Sequence, residues 1–143
     1  MTYPLQPITI TASATLDRDV HANGTVVNLS AAAGLTVTLP ASSGKGDTYE
    51  LFVATTVTTN SYIIQVANAT DIMQGVIHLT TDIAGSSLPT ASTTDTITMN
   101  GSTTGGVKGS WIRLKDVSSG VWQLDGGLVC TGTEATPFSA AVS

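Results

Sequence analysis

A chain of 143 residues has the length of one domain and can bury a hydrophobic core without disulfides or metal. Hydrophobic residues make up 41% of it but charged residues only 10%, against about a quarter in an ordinary soluble domain, so Thr, Ser, Asn and Gly must cover the surface. The net charge is −5, and the only cations are Arg18, Lys45, Lys108, Arg113 and Lys115; that excludes the clustered basic face by which proteins neutralise nucleic-acid phosphates.

The first seven residues hold Pro4 and Pro7, which favour an extended arm, and Tyr3 and Leu5 give it apolar anchors. They lack the charged and apolar regions of a signal peptide, so synthesis in a cytoplasm is expected. From Ile8 to Leu16 apolar and small polar residues alternate without a break, the pattern of a strand with one core face and one threonine face. His21 to Thr25 is a turn, with Asn23-Gly24 supplying the positive φ of a hairpin. Val26 to Leu29 and Leu35 to Leu39 are the next strands, the second stopped by Pro40, and Ser42 to Asp47 is a flexible loop. Tyr49 to Thr55 and Tyr62 to Ala67 form an expected antiparallel pair. Both carry apolar residues on both faces, as with Phe52 behind Leu51 and Ile63 behind Ile64. Such strands are central or covered, here by a second sheet on one side and a partner subunit on the other.

Met73 to Leu79 follows, then a long polar loop from Thr80 to Thr94. Asp95 to Met99 resumes the strand pattern, and Asn100 to Gly109 is a glycine-threonine turn region. Trp111 to Val117 and Val121 to Leu124 make a hairpin across Ser118-Ser119-Gly120, and Leu128 to Thr131 is the last strand. Thr131 to Ser143 is small and polar, with Phe138 as an anchor; it is either frayed or docked. No helix-period, heptad or membrane-length apolar run occurs. The fold class is all-β: an antiparallel β-sandwich or jelly-roll-like barrel with extended terminal arms. The organisation is an arm over 1–7, one β domain over 8–131 and a tail over 132–143.

Residues able to carry chemistry are few. His21 and His78 lack neighbours at metal-ligand spacing, so neither metal nor cofactor is expected. No Ser sits in a nucleophile elbow or has a His partner, and no carboxylate pair is placed by a motif. Asp17 and Asp19 flank Arg18 as a solvated local ion pair, and Asp47 and Glu50 sit in water at a loop boundary. Four Asn-x-Ser/Thr matches are accidents of a Thr/Ser-rich chain without a signal peptide, and Gly105 to Gly109 lacks the spacing of a phosphate loop. Cys130 is a small buried apolar residue or an intermolecular bridge. Trp122 alternates in phase with Leu124 and faces the core. Trp111 shares a face with Arg113 and Lys115. It is a subunit-interface anchor beside a cation, or a half-buried residue at a sheet edge.

Several stretches in order resemble the capsid decoration, or cement, proteins of tailed bacteriophages. They are Gly34 to Pro40 with Gly44 and Gly46, Tyr49 to Thr59, Asp95 to Gly101, Gly105 to Gly109, Gly120 to Trp122, and Gly132 to Phe138. The resemblance implies a small β-rich homotrimer on the outer surface of a virion head that bridges major-capsid subunits. Tyr3, Pro4, Leu5 and Pro7 are then expected to dock the capsid, and Trp111 and Arg113 to lie at a subunit interface. No enzyme activity, nucleic-acid partner or membrane partner is expected. The alternative is a phage fibre or a carbohydrate- or receptor-binding β-sandwich module using Trp111 or the 80–94 segment; an enzyme with dispersed carboxylates ranks last.

Overall fold

A computed structural model describes residues 6–143. In chain order the elements are β1 (Ile8–Ile10), β2 (Ala14–Thr15), α1 (Arg18–His21), β3 (Val26–Leu29), β4 (Leu35–Thr38), β5 (Thr48–Val53) and β6 (Tyr62–Gln65). The second half contributes β7 (Ile72–Thr80), β8 (Gly85–Pro89), β9 (Thr96–Met99), β10 (Trp111–Ser118), β11 (Val121–Val129) and β12 (Phe138–Ser139). They form an all-β sandwich. One sheet has seven strands in the order β1-β3-β5-β10-β11-β7-β8, and the other has five in the order β12-β9-β6-β4-β2.

The pairing is mixed, and the reason lies in the first half of the chain. β1, β3 and β5 run parallel in the large sheet, while β2, β4 and β6 run parallel in the small one. The chain therefore winds as a short solenoid, laying one strand in each sheet per turn. Parallel neighbours cannot be joined by a tight hairpin, so each connection crosses the slab instead. The second half returns to antiparallel pairing through β5–β10, β10–β11, β6–β9, β7–β8 and β9–β12, with β11 parallel to β7.

Period-2 alternation decides which side chains fill the slab. Val27, Leu29, Tyr49, Leu51, Ile77, Leu114 and Trp122 enter from the large sheet, and Val37, Tyr62, Ile64, Ile97 and Met99 from the small one; all are buried. Trp122 packs edge-on to Tyr49, ring centres 5.7 Å apart. Tyr62 ties the layers together. Its hydroxyl donates to the Thr55 carbonyl at 2.6 Å and accepts from the Ala31 N–H at 2.9 Å, with the Leu29 carbonyl at 3.3 Å.

Several expected boundaries are corrected. The run from Ile8 to Leu16 is two strands in different sheets, because alternation continues while the chain crosses; Ser13 Oγ accepts from the Thr36 N–H at the crossing. Tyr49 to Thr55 and Tyr62 to Ala67 do not pair: they lie in opposite sheets, parallel to β3 and β4. Asn23 and Gly24 do adopt positive φ, but their turn leads from α1 into β3 rather than closing a hairpin. The four-residue α1 was not legible. Asp17 caps it by accepting from the Asp19 N–H at 2.7 Å.

The segment from Thr80 to Thr94 contains β8, whose small exposed residues show no alternation. The 121–124 and 128–131 strands are one strand, β11, running through Gly126 and Gly127. The tail is docked: β12 pairs with β9, Phe138 packs on the core, and the Ala141 and Val142 N–H groups donate to Asp95.

Gly101 fixes the turn after β9. Its φ is +81°, and a Cβ there would lie 1.9 Å from the Val57 carbonyl oxygen. Gly101→Ala is expected to lower stability by more than about 2 kcal/mol, and Tyr62→Phe by about 1–3 kcal/mol through unpaired backbone groups. Urea midpoints at constant m-value check both; midpoints equal to wild type would refute the assignments.

Candidate functional site

The strand period sends Trp111, Arg113 and Lys115 to the outer face of the large sheet, and the register supplies their neighbours. Trp111 lies opposite Phe52 on β5 and Gly127 on β11. Arg113 lies opposite Glu50 and Asp125, and Asp125 opposite Val76 on β7. Trp111 is 40% exposed, Phe52 36% and Val76 44%, large apolar side chains left uncovered on one face. Among the described residues no element packs over this face, whereas Thr36, Thr38 and Thr98 lie half-buried along the small sheet. Singly exposed apolar residues are ordinary; several in register around an arginine make a patch.

The patch is preorganised. A Cβ at Gly127 would lie 2.8 Å from Trp111 Nε1, so the indole rests over the glycine. The Arg113 guanidinium carbon lies 5.8 Å from the Trp111 ring centre, within cation–π range. Arg113 also meets Glu50 at 3.4 Å and Asp125 at 3.5 Å; pairs this long and half-exposed orient the guanidinium more than they stabilise the fold. A hollow of about 200 Å³ lies between Val26, Phe52, Trp111 and Arg113. A polar one of about 410 Å³ follows beyond Arg113, lined by Thr48, Lys115, Gln123 and Asp125.

The expected arm residues Tyr3, Pro4 and Leu5 lie outside the described residues. Pro7 is exposed immediately before β1, at one edge of the large sheet. Sequence reasoning placed Phe52 on the face opposite Leu51 but did not join it to Trp111. It missed Glu50, Asp125 and Gly127 there, since only register across β5, β10 and β11 brings them together.

At one end of the sandwich, carboxylates organise loops. Asp116 is buried. It accepts from Ser42 Oγ at 2.7 Å, the Gly44 N–H at 2.8 Å, the Ser43 N–H at 2.9 Å and Ser43 Oγ at 3.2 Å. Ser42 to Asp47 is thus a pinned loop and not a flexible one. Burial by itself pushes the Asp116 carboxyl up. The hydrogen bonds from the Ser43 N–H, Ser42 Oγ, the Gly44 N–H and Ser43 Oγ outweigh it and hold the pKa below the ordinary 3.8.

Asp47 is buried too, contrary to the solvated reading. The Asn23 amide donates to it, and Arg18 reaches it at 3.0 Å instead of pairing with its own neighbours Asp17 and Asp19. The Asn23 hydrogen bond is the main cause holding Asp47 low; burial opposes it and Arg18 adds to it.

An open cleft of about 280 Å³ beside these groups is lined by Arg18, Lys45, Asp47, Tyr49 and Asp116. Burial, with Asp47 and Asp17 nearby, pushes the Tyr49 phenol up to about 12. His21 Nδ1 accepts from the Asp17 N–H, and His78 Nδ1 lies 2.7 Å from Ser87 Oγ. Among the described residues no three His, Cys, Asp or Glu side chains are grouped to hold a metal ion. Cys130 is buried, and burial raises its pKa. Comparison with protein-family models, curated proteins and solved structures gives no match to the chain.

The folded-state pKa of Asp116 lies below its unfolded value. Its contribution is therefore whole above pH 3.8 and is lost as pH falls through the folded-state pKa beneath it. Asp116→Ala is expected to cost about 1–3 kcal/mol at neutral pH, by orphaning the Ser43 and Gly44 N–H groups, and to flatten the acid limb of the stability profile. Urea unfolding between pH 2 and 7 checks this; an acid limb as steep as wild type would count against it.

Proposed function

We propose that the protein is a structural virion component: a homotrimer that binds the outside of a phage head and stabilises the shell by bridging major-capsid subunits. The observation that carries this reading is the Trp111–Phe52–Arg113 patch, a rigid, aromatic, charge-balanced surface on the outer face of the larger sheet. Aromatic and arginine side chains supply most of the free energy at protein interfaces, and Trp111 and Arg113 are assigned to contact between subunits. The residue 1–7 arm, leaving from the exposed Pro7 at the sheet edge, is assigned to the capsid through Tyr3, Pro4, Leu5 and Pro7. Three arms on one trimer act together, so a weak single contact becomes a durable clamp. No cofactor or catalytic residue enters this role.

A carbohydrate- or receptor-binding fibre module is the second reading, favoured by the half-exposed Trp111 with the Arg113–Asp125 pair next along the same face. Glycan-array binding lost in Trp111→Ala would favour it over the first.

The test joins co-sedimentation with empty and DNA-filled heads to a mass measurement of the free protein. Wild type is expected to be a trimer that pellets with heads. Deletion of residues 1–7 should abolish pelleting while leaving the trimer intact. Trp111→Ala should weaken self-association by about 30-fold or more, the scale of a hot-spot residue. A monomeric wild type indifferent to heads would overturn the proposal.

A further inference from the structure

We infer that residues 1–5 fold back over the large sheet and seat in the hollow between Val26, Phe52 and Trp111 of their own chain, with Tyr3 and Pro4 against the two aromatic rings. This goes beyond the virion reading, because it needs neither a shell nor a second copy. The described chain starts at the mouth of this hollow. Ile8 pairs with Val27, so Pro7 lies beside Val26, and the register runs on from Val26 to Glu50 and from Glu50 to Arg113. Val27 and Leu51 face the slab, which turns Val26, Glu50 and Phe52 to the outer face. β1 is the edge strand there and Gln6 and Pro7 are exposed, so the chain before β1 has the outer face of β3 and β5 beside it.

Reach agrees with this seat. Neighbouring strands lie about 4.8 Å apart, so β5 is about 10 Å from β1 and β10 about 14 Å. A proline-rich segment advances about 3.1 Å per residue, which brings Pro4, three residues before Pro7, to about 9 Å and Tyr3 to about 12 Å. Leu5 then falls over β3, beside Val26.

Chemistry selects the same segment. Glu50 and Arg113 both line the hollow and pair at 3.4 Å, so it offers no net charge and suits an uncharged occupant. Residues 1–7, Met-Thr-Tyr-Pro-Leu-Gln-Pro, carry no Asp, Glu, Lys or Arg and bring a phenol ring, a leucine and two prolines. Pro4 and Pro7 favour an extended backbone in advance, and segments with prolines at this spacing bind grooves walled by aromatic rings at low ordering cost. Tethering to β1 raises the local concentration, so a contact of modest strength is enough. The seat takes the β3–β5 side of Trp111 and leaves the Arg113–Asp125 side open for contact between copies. Docking of Tyr3 and Leu5 on a shell then has to draw the arm off the hollow, so the two contacts exclude one another.

Acrylamide quenching of tryptophan fluorescence tests the seat, because Trp122 is buried and Trp111 is the accessible ring. Deletion of residues 1–5, and separately Tyr3→Ala with Pro4→Ala, is expected to raise the quenching constant at least twofold, and Trp111→Phe should abolish that difference. On mild oxidation, Thr2→Cys with Phe52→Cys should form a disulfide within one chain, Cys130 being left in place because it is buried. Thr2→Cys with Val76→Cys, two strands beyond Trp111 on the same face, should give at least tenfold less. Far-UV spectra and urea midpoints check that each variant folds. Quenching unchanged by the deletion, equal cross-linking to positions 52 and 76, or a disulfide formed only between chains would overturn the seat; a wild type that is still a trimer and pellets with heads would then leave the virion reading standing. A wild type that neither trimerises nor pellets, yet shows the quenching change and the disulfide within one chain, would overturn the virion reading and keep the seat.

Discussion

One apolar slab, shared by two sheets and crossed repeatedly by the same chain, is the constraint on which the rest depends. From β1 to β6 the chain changes sheet at every step, so no strand in this half is paired with its sequence neighbour. Every crossing carries backbone N–H and C=O groups past the rim of the slab, where each needs a partner. Side-chain hydroxyls supply partners: Ser13 Oγ for the Thr36 N–H, Thr58 Oγ1 for the Ala32 carbonyl, and the Tyr62 hydroxyl for Ala31 and Thr55. This gives the abundance of Ser and Thr a structural sense, because a short hydroxyl side chain satisfies a crossing without demanding room in the core.

The scarce charges are used in the same way. Asp47, Asp71, Asp95 and Asp116 are buried, and each accepts hydrogen bonds that hold a loop or the tail in place. Asp116 gathers Ser42, Ser43 and Gly44, Asp71 takes the Ser42 N–H, and Asp95 holds Ala141 and Val142. Ionised carboxylates make stronger hydrogen bonds than neutral acceptors, so a few of them fasten long connections. The acidic balance of the chain is in good part an inventory of these fasteners rather than a repelling surface.

What remains outside the fastening scheme is concentrated on the outer face of the large sheet, where aromatic, aliphatic and cationic side chains share three adjacent strands. A face on a rigid sheet costs little ordering entropy when it is covered, which suits adhesion better than a surface built on loops. The proposed virion role draws on this stiffness, with the patch assigned to contact between copies and the residue 1–7 arm to the shell.

The residues by themselves determined that the protein is all-β, that Trp122 is core, and that Trp111 shares an outer face with Arg113. Those properties follow from the two-residue period of a strand, which a sequence displays directly. The hairpin at Ser118-Ser119-Gly120 was legible for the same local reason. Tertiary structure alone decided the pairing partners of Ile8 to Leu16, Tyr49 to Thr55 and Tyr62 to Ala67. Alternation reports which side of a sheet a residue takes but not which sheet it joins, and a crossing between layers looks like a turn. Likewise the union of Trp111 and Arg113 with Phe52 and Glu50, and the gathering of Ser42 to Gly44 around Asp116, span dozens of residues. Register between the non-consecutive strands β5 and β10 creates the first and packing of a loop on the end of the sandwich the second, and both are set by how the whole slab packs.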